Sequence, residues 1–524
     1  RRNGTLDKGP YLAALDVGSG IGRCFIFDSK GQEVSSASKE WTRAWIGTNW
    51  DAKVAWQALC AVTREAIRRA KVSSDEIAGI SSTSLREQYI LLDKKGEELR
   101  FPPEIDLFVE GGSVAAQYGE RIYLASGHWP IQGLMAPSWL SYLKKMKPDI
   151  FHRIETILNI NDWVLFKLSG ERASEPAGAC ETCLFDITKL KWSTEIISEL
   201  GYPEHIFPKI FKNGQVLGEI TQKAADETGL KRGTPVIMGG PDTQCGLIGS
   251  AAVREGDTAA VAGTTTPIQM VLSKPIFDEG WRTWTCCHAV PGKWILESNA
   301  GTTGWIYRWL RDEFMETETS VSKAIGVDVY ELMDREVECA PIGANKLFAS
   351  LGSMIMNTRA NPVPIGGFFG IIPITGRKTG KREMARAIIE NTCYAVRGNC
   401  EQIEEISKMK IKELRFCGGS AKSRIWAKIQ SEILGIPVLV PKVKEATPLG
   451  AAICAGVGAG LYKSLEEAVD KVVRLETKIE PDPDNHEKYN VFYERWLGIY
   501  RKFGELVETD DIMELMNSFL KHES

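Results

Sequence analysis

Along the chain, short continuous apolar runs alternate with stretches of helical period, and most of the apolar runs end in glycine-rich turns. Tyr11-Leu12-Ala13-Ala14-Leu15, bounded by Pro10, reads as a buried strand. Asp16-Val17-Gly18-Ser19-Gly20-Ile21-Gly22-Arg23 follows, then a second strand, Cys24-Phe25-Ile26-Phe27. Asp28-Ser29-Lys30-Gly31 turns the chain again, and Glu33 to Ser38 is expected to form a third strand. Strand–turn–strand is not the strand–loop–helix that a Walker loop or a Rossmann turn requires. The glycines still let backbone amides approach an anion closely. Asp16 adds a carboxylate there that could hold a magnesium ion, through water.

Helical period returns at Asp51 to Ala70, with Val54, Leu59, Val62 and Ile67 expected on the buried face. Ile77 to Ser81 and Tyr89 to Asp93 read as strands flanking Ser84-Leu85-Arg86-Glu87-Gln88. An adjacent Arg and Glu in that position could clasp polyol hydroxyls, one donating and one accepting, or could be a surface ion pair. Residues 107 to 150 read as mostly helical, and shorter helices are expected at Asn161 to Leu168 and Trp192 to Leu200. A strand at Val216 to Ile220 precedes a helix from Thr221 to Gly229. Then Val236-Ile237-Met238 ends in Gly239-Gly240, and Asp242 follows at what reads as a helix start. A carboxylate at the end of a buried strand, beside glycine-rich backbone, can take a proton from a substrate hydroxyl. The same residues also suit a plain turn with an Asp at a helix start.

The second half repeats the plan. Thr258 to Ala262 and Ile268 to Val271 are strands around the turn Gly263-Thr264-Thr265-Thr266. Trp294 to Glu297 is another strand, and Gly301-Thr302-Thr303-Gly304 opens a helix from Trp305 to Phe314. A long helix is expected at Lys381 to Ile406. The strand Glu413 to Cys417 ends in Gly418-Gly419-Ser420-Ala421-Lys422-Ser423, and a helix from Arg424 to Leu434 follows, whose first amides could meet a nucleotide. Pro437 to Val440 reads as a strand, and Thr447 to Gly456 as a small-residue helix suited to close packing.

At 524 residues the chain has room for two large domains. Its formal net charge of -4 gives no basic field for nucleic acid or an anionic membrane. No apolar run is long enough to span a bilayer, and Arg1-Arg2-Asn3-Gly4 leads into a polar stretch without an apolar signal core. The 12 cysteines lie scattered through apolar runs, which suits reduced thiols and a cytoplasmic home. Cys180-Glu181-Thr182-Cys183 is a lone C-x-x-C without a second pair and is not expected to bind zinc. Adjacent Cys286 and Cys287 are read as packing residues.

Taken together, Leu15 to Arg23 with Phe27-Asp28, Gly239-Gly240-Pro241-Asp242, Ala262-Gly263-Thr264, Gly418 to Ser423 and Glu445-Ala446-Thr447-Pro448-Leu449-Gly450-Ala451-Ala452 resemble the FGGY carbohydrate kinase family. That likeness covers nearly the whole chain. It implies an α/β fold of two actin-like (ribonuclease H-like) domains flanking a nucleotide cleft. Residues 1–253 would carry the sugar site and the catalytic base; residues 254–524 would bind nucleotide and end in a helical tail. By the same likeness Asp242 deprotonates a sugar hydroxyl for in-line attack on the γ-phosphate of ATP. Asp16 and Asp242 would lie near Mg2+. Ser19, Gly20, Arg23, Gly263 and Thr264 would surround the phosphates, and Gly304, Gly419, Ser420 and Ser423 would line the nucleoside. Arg86, Glu87, Asp242 and Gln244 would bind a small sugar or polyol. A homodimer is left open.

Within the family the chain is most similar to members that phosphorylate a five-carbon quorum signal, through Val443 to Gly460, Pro481-Asp482-Pro483-Asp484 and His486. It departs from an Asp-x-Arg pattern of many members: Asp106 is present, but Phe108 stands at the arginine position. A more apolar pocket is expected from that change. The alternatives are a xylulose-, glycerol- or other polyol-type kinase and, in another class, a nucleotide-gated sugar sensor without turnover.

Overall fold

The computed structural model of the chain describes residues 9–41, 51–100, 106–360, 366–372 and 379–507. The readings at Arg1 to Gly4 and at 101–105 lie outside these residues. Two compact units interleave along the chain: one is Arg1–Asp257, Met270–Glu297 and Pro441–Leu475, the other Thr258–Gln269, Ser298–Val440 and Glu476–Ser524.

The sheet of the first unit contains β1 (Tyr11–Val17), β2 (Ile21–Asp28), β3 (Glu33–Glu40), β4 (Ile77–Ser84), β5 (Val216–Glu219), β6 (Pro235–Ile237) and β7 (Gly240–Pro241). Its order is β5-β6-β4-β1-β2-β3, with β7 also beside β4. The expected hairpin is present: β1 and β2 run antiparallel, with Asp16 opposite Arg23. Every residue of β1 is buried because cores lie on both faces of the sheet. Tyr11, Ala13, Leu15 and Val17 pack with Leu59, Ile80 and Trp163. Leu12 and Ala14 pack with Phe25, Phe27, Leu449 and Ile453.

Register brings the glycine-rich ends together. In the parallel pair β1/β4, Asp16 lies beside Thr83. In the parallel pair β7/β4, Gly240 lies beside the same Thr83, and Pro241 beside Ser84. Asp16 and the residues leading to Asp242 therefore end at one level, at the carboxyl ends of parallel strands, where open α/β sheets place their ligands.

Helix Ala52–Ala70 begins at Asp51, whose side chain accepts from the amides of Lys53 and Val54. Leu59 and Val62 are buried as expected, but Val54 is 48% exposed and Trp56 takes the inward position. The Trp56 indole also reaches the Glu227 carboxylate at 2.6 Å, a partner distant in sequence that the local pattern does not show. The helix expected over Trp192 to Leu200 is shorter, Thr194–Glu199; Trp192 instead pairs in a two-residue strand with Phe185 and meets that ring edge-on at 5.6 Å. Helix Ala446–Gly458 packs closely against helix Asp242–Gly249. A β-carbon added to Gly450 would come within 1.9 Å of the Cys245 carbonyl oxygen, and one on Gly249 within 1.9 Å of that of Ala446.

A second sheet contains β8 (Thr258–Ala262), β9 (Thr265–Leu272), β10 (Trp284–Cys287), β11 (Trp294–Thr302), β12 (Leu414–Gly418), β13 (Val438–Pro441) and β14 (Leu475–Ile479), in the order β10-β11-β9-β8-β12-β13-β14. β10 and the start of β11, through Glu297, are counted with the first unit. The parallel pair β8/β12 sets Ala262 beside Gly418. Helix Lys381–Ser407 matches the long periodic segment, and helix Arg424–Leu434 has the expected bounds, capped by the Ser423 hydroxyl and stopped at Gly435 in the left-handed region. Helices Glu316–Ile325 and Val329–Cys339 had no sequence reading.

Candidate active site

Within the first unit, Asp16, Arg23, Arg86, Glu87, Asp242 and Gln244 share one polar neighbourhood. The β1–β2 turn is closed by the Gly18 amide on the Ile21 carbonyl at 2.9 Å, which places Ser19 and Gly20 at its tip. Asp16 is buried, and Arg23 reaches it at 2.5 Å and Glu445 at 2.8 Å. Burial pushes the Asp16 carboxyl up, opposed by the Arg23 charge.

Asp242 opens helix Asp242–Gly249, and its Oδ1 accepts the Thr243 amide at 2.7 Å. Burial raises its pKa to about 7; the Arg86 charge opposes the rise and the Asp16 charge adds to it. The strand end behind it is tightly built. A β-carbon on Gly239 would fall 1.9 Å from the Ser82 carbonyl oxygen. The Asn213 amide donates to the Gly239 carbonyl and, at 3.0 Å, to Glu175.

Arg86 and Glu87 are not a surface pair: their side chains are only 7% and 15% exposed. Glu87 adopts φ 54°, a backbone strain found where a side chain must be aimed. Burial, helped by the charges of Glu181, Glu297 and Asp242, raises the Glu87 carboxyl to about 8. Arg86 makes a two-pronged bond to Glu297 at 2.8 and 2.7 Å and reaches Glu181 at 3.3 Å, with its guanidinium 5.5 Å from the Trp284 ring. Gln244 donates to Glu181 at 2.9 Å.

Glu181, Glu297 and His128 were missed by sequence reasoning. Glu181 lies inside the C-x-x-C that drew attention only for its cysteines, and Glu297 ends a strand read only for its apolar residues. A charge inside an otherwise apolar run was the available signal. His128, Cys180 and Glu181 place ligand-type atoms within 4.8 Å of one another. Each also has protein partners: His128 Nδ1 meets the Ser126 carbonyl at 2.9 Å, Cys180 donates to the Ala177 carbonyl at 3.1 Å, and Glu181 takes Arg86 and Gln244.

The remaining predicted residues lie in the second unit. Gly263 and Thr264 form the β8–β9 turn, and the Thr303 amide donates to the Thr264 carbonyl at 3.1 Å. Gly304 starts helix Gly304–Phe314 against that turn: a β-carbon on it would lie 2.2 Å from the Gly263 carbonyl oxygen. Gly418, at φ 92°, leads into Gly419 and Ser420 on a short 3-10 turn. The Ser423 hydroxyl caps the next helix, accepting from the Trp426 amide at 3.1 Å. Glycine- and hydroxyl-rich turns at two adjacent strand ends suit phosphate and nucleoside recognition. Phe108 is 39% exposed, on helix Asp106–Ser126.

A carboxylate with a raised pKa beside a glycine hairpin in one unit, and a glycine-rich pair of strand ends in the other, define the class: an actin-like α/β protein equipped for phosphoryl transfer. The N-terminal model of the FGGY family of carbohydrate kinases matches residues 11–101 and 115–249, and the C-terminal model matches residues 258–459. The autoinducer-2 kinase of Salmonella typhimurium is 33% identical over 516 residues, 96% of each chain. That of Photorhabdus laumondii is 32% identical over 511 residues, 95% of this chain and 96% of its own. Xylulose kinase from Rhodospirillum rubrum shares the fold, with a TM-score of 0.80 at 23% identity, covering 95% of this chain and all of its own. The chain belongs to the FGGY family of carbohydrate kinases. It is an ATP-dependent sugar kinase, and none of its described helices is long and apolar enough to cross a membrane.

Proposed function

We propose that this kinase phosphorylates a hydroxyl of the autoinducer-2 precursor 4,5-dihydroxy-2,3-pentanedione, with Asp242 as general base and magnesium-bound ATP as donor. The observation that carries the reading is the likeness to autoinducer-2 kinases over 96% of both chains. The chemistry of the first unit supports it. Arg86 and Gln244 offer N–H donors beside the Glu87 and Asp242 carboxyls, a mixed donor and acceptor set that suits a substrate presenting several hydroxyls. Asp242, at about 7, is poised to take a proton near neutral pH. The carboxylates that fit a hydrated magnesium ion are Asp16 and Asp242, oxygen ligands suited to a hard cation. Ser19, Gly20, Arg23, Gly263 and Thr264 would surround the phosphates, and Gly304, Gly419, Ser420 and Ser423 would line the nucleoside. We place the enzyme in the cytoplasm.

The test is a coupled ADP-release assay over 4,5-dihydroxy-2,3-pentanedione, D-xylulose, glycerol, gluconate and other pentoses, with magnesium present or chelated. The expected result is the highest kcat/KM on the pentanedione and no turnover without magnesium. A clear preference for D-xylulose or glycerol would replace the substrate assignment. Sugar binding without any ADP release would favour a sensor.

A further inference from the structure

Glu181 does more than balance a charge. We infer that Glu181 is a positioning residue that holds Arg86 and Gln244 in the orientation that sets affinity for the sugar. The inference rests on the reading of Arg86 and Gln244 as sugar-binding groups.

Glu181 bridges two separate elements. A single oxygen, Oε1, accepts from Arg86 Nη1 at 3.3 Å and from Gln244 Nε2 at 2.9 Å. Arg86 follows β4, and Gln244 is the third residue of helix Asp242–Gly249, two residues after Asp242. The other oxygen, Oε2, lies 3.2 Å from His128 Nε2 and accepts no hydrogen bond among the described residues.

The bridge is itself anchored at several points. Helix Pro176–Cys180 is pinned at its start by Glu175, which accepts the amides of Ala177 and Gly178 at 2.7 and 2.6 Å. Glu181 closes that helix, and its carbonyl accepts the Tyr89 hydroxyl at 2.9 Å. His128 is held through Nδ1 on the Ser126 carbonyl, and its ring lies 5.1 Å from Trp284. Both His128 and Glu181 are almost wholly buried, so neither rotates into solvent. Supporting groups of this kind fix the rotamers of the side chains that touch a ligand. Without Glu181, Gln244 keeps, among the described residues, the Thr243 hydroxyl at 2.7 Å, and Arg86 keeps Glu297 and Glu87.

The test measures KM and kcat by ADP release, and sugar affinity by calorimetry, on the best acceptor of the panel above. Glu181→Ala is expected to raise the sugar KM and Kd about 10- to 100-fold, as losing charge-assisted buried hydrogen bonds does, with the KM for ATP within about twofold of wild type. Glu181→Gln keeps an acceptor for Arg86 and Gln244 and is expected to recover at least half of that loss on a logarithmic scale. It also serves if the alanine variant fails to fold. The losses from Glu181→Ala and Gln244→Ala are expected to be non-additive, because one acts through the other. An unchanged sugar KM in Glu181→Ala, no recovery in Glu181→Gln, or additive losses would overturn the inference while the kinase reading stands. A wild type that binds sugar without turnover, with affinity lost in Glu181→Ala, would end the kinase reading and keep the inference. A wild type that neither binds nor turns over any acceptor overturns both.

Discussion

Proton transfer to Asp242 should be visible directly in the pH dependence of the enzyme. Its carboxyl is raised from 3.8 to about 7, because burial outweighs the opposing Arg86 charge while Asp16 pushes in the same direction. A general base works only when ionised. With a midpoint near 7 in the ion-free protein, about a tenth of the molecules carry the carboxylate at pH 6 and about nine-tenths at pH 8, so kcat/KM should rise by up to about tenfold between them. Glu87 titrates close by, at about 8, and Glu87→Gln assigns the inflection: the one that survives belongs to Asp242. Arg86→Gln removes the main charge holding the carboxyl down, so its inflection should move to higher pH. Asp242→Asn should lower kcat about 10²- to 10⁴-fold, the usual worth of a positioned base, with the KM for ATP little changed. The assay is coupled ADP release at saturating magnesium and ATP. An active Asp242→Asn enzyme, or a kcat/KM that falls between pH 6 and 8, would refute the assignment; magnesium beside the carboxyl would draw its midpoint below 7 and flatten the rise.

Gly450→Ala should destabilise the first unit by about 3 kcal/mol or more, since the new carbon meets backbone rather than a movable side chain; denaturant unfolding measures it. Gly304→Ala should raise the KM for ATP more than that for the sugar, because its β-carbon would strike the Gly263 carbonyl in the turn read as phosphate-binding; separate titrations of the two substrates check this. Asp162 is buried and raised to about 7, with burial outweighing the bonds from Ser174, Asn159 and Asn161. The folded state therefore binds the extra proton between about pH 4 and 7, and this contribution to stability is whole below pH 4 and lost as pH rises through 7. In Asp162→Asn, the fall of unfolding free energy with pH across that window should be shallower by up to about 1.4 kcal/mol per pH unit, followed by urea unfolding at several pH values.

Much of the local architecture was legible along the chain. The hairpin at 11–28 follows from two apolar runs around a glycine turn, and helix Arg424–Leu434 follows from a serine cap before it and a glycine after it. The small-residue run Thr447 to Gly456 forecast a close helix contact, and Gly450 against Cys245 is that contact. These features depend on neighbours a few residues apart, and sequence carries such information directly. Asp16, Asp242 and the Arg86-Glu87 pair were legible as chemical candidates, and only the family resemblance, not any local pattern, set them in one site.

Their surroundings were decided by the tertiary structure. Only the register of β1, β4 and β7 brings Asp16 and Gly240 to the same Thr83. Only packing distant in sequence buries Arg86 among Glu181 and Glu297 and turns an apparent surface pair into the centre of a polar network. The same long-range packing turned Trp56 inward and left Val54 exposed. Charge and desolvation act through space. The protonation of Asp242 and the part assigned to Glu181 therefore depend on residues that share no local pattern with them.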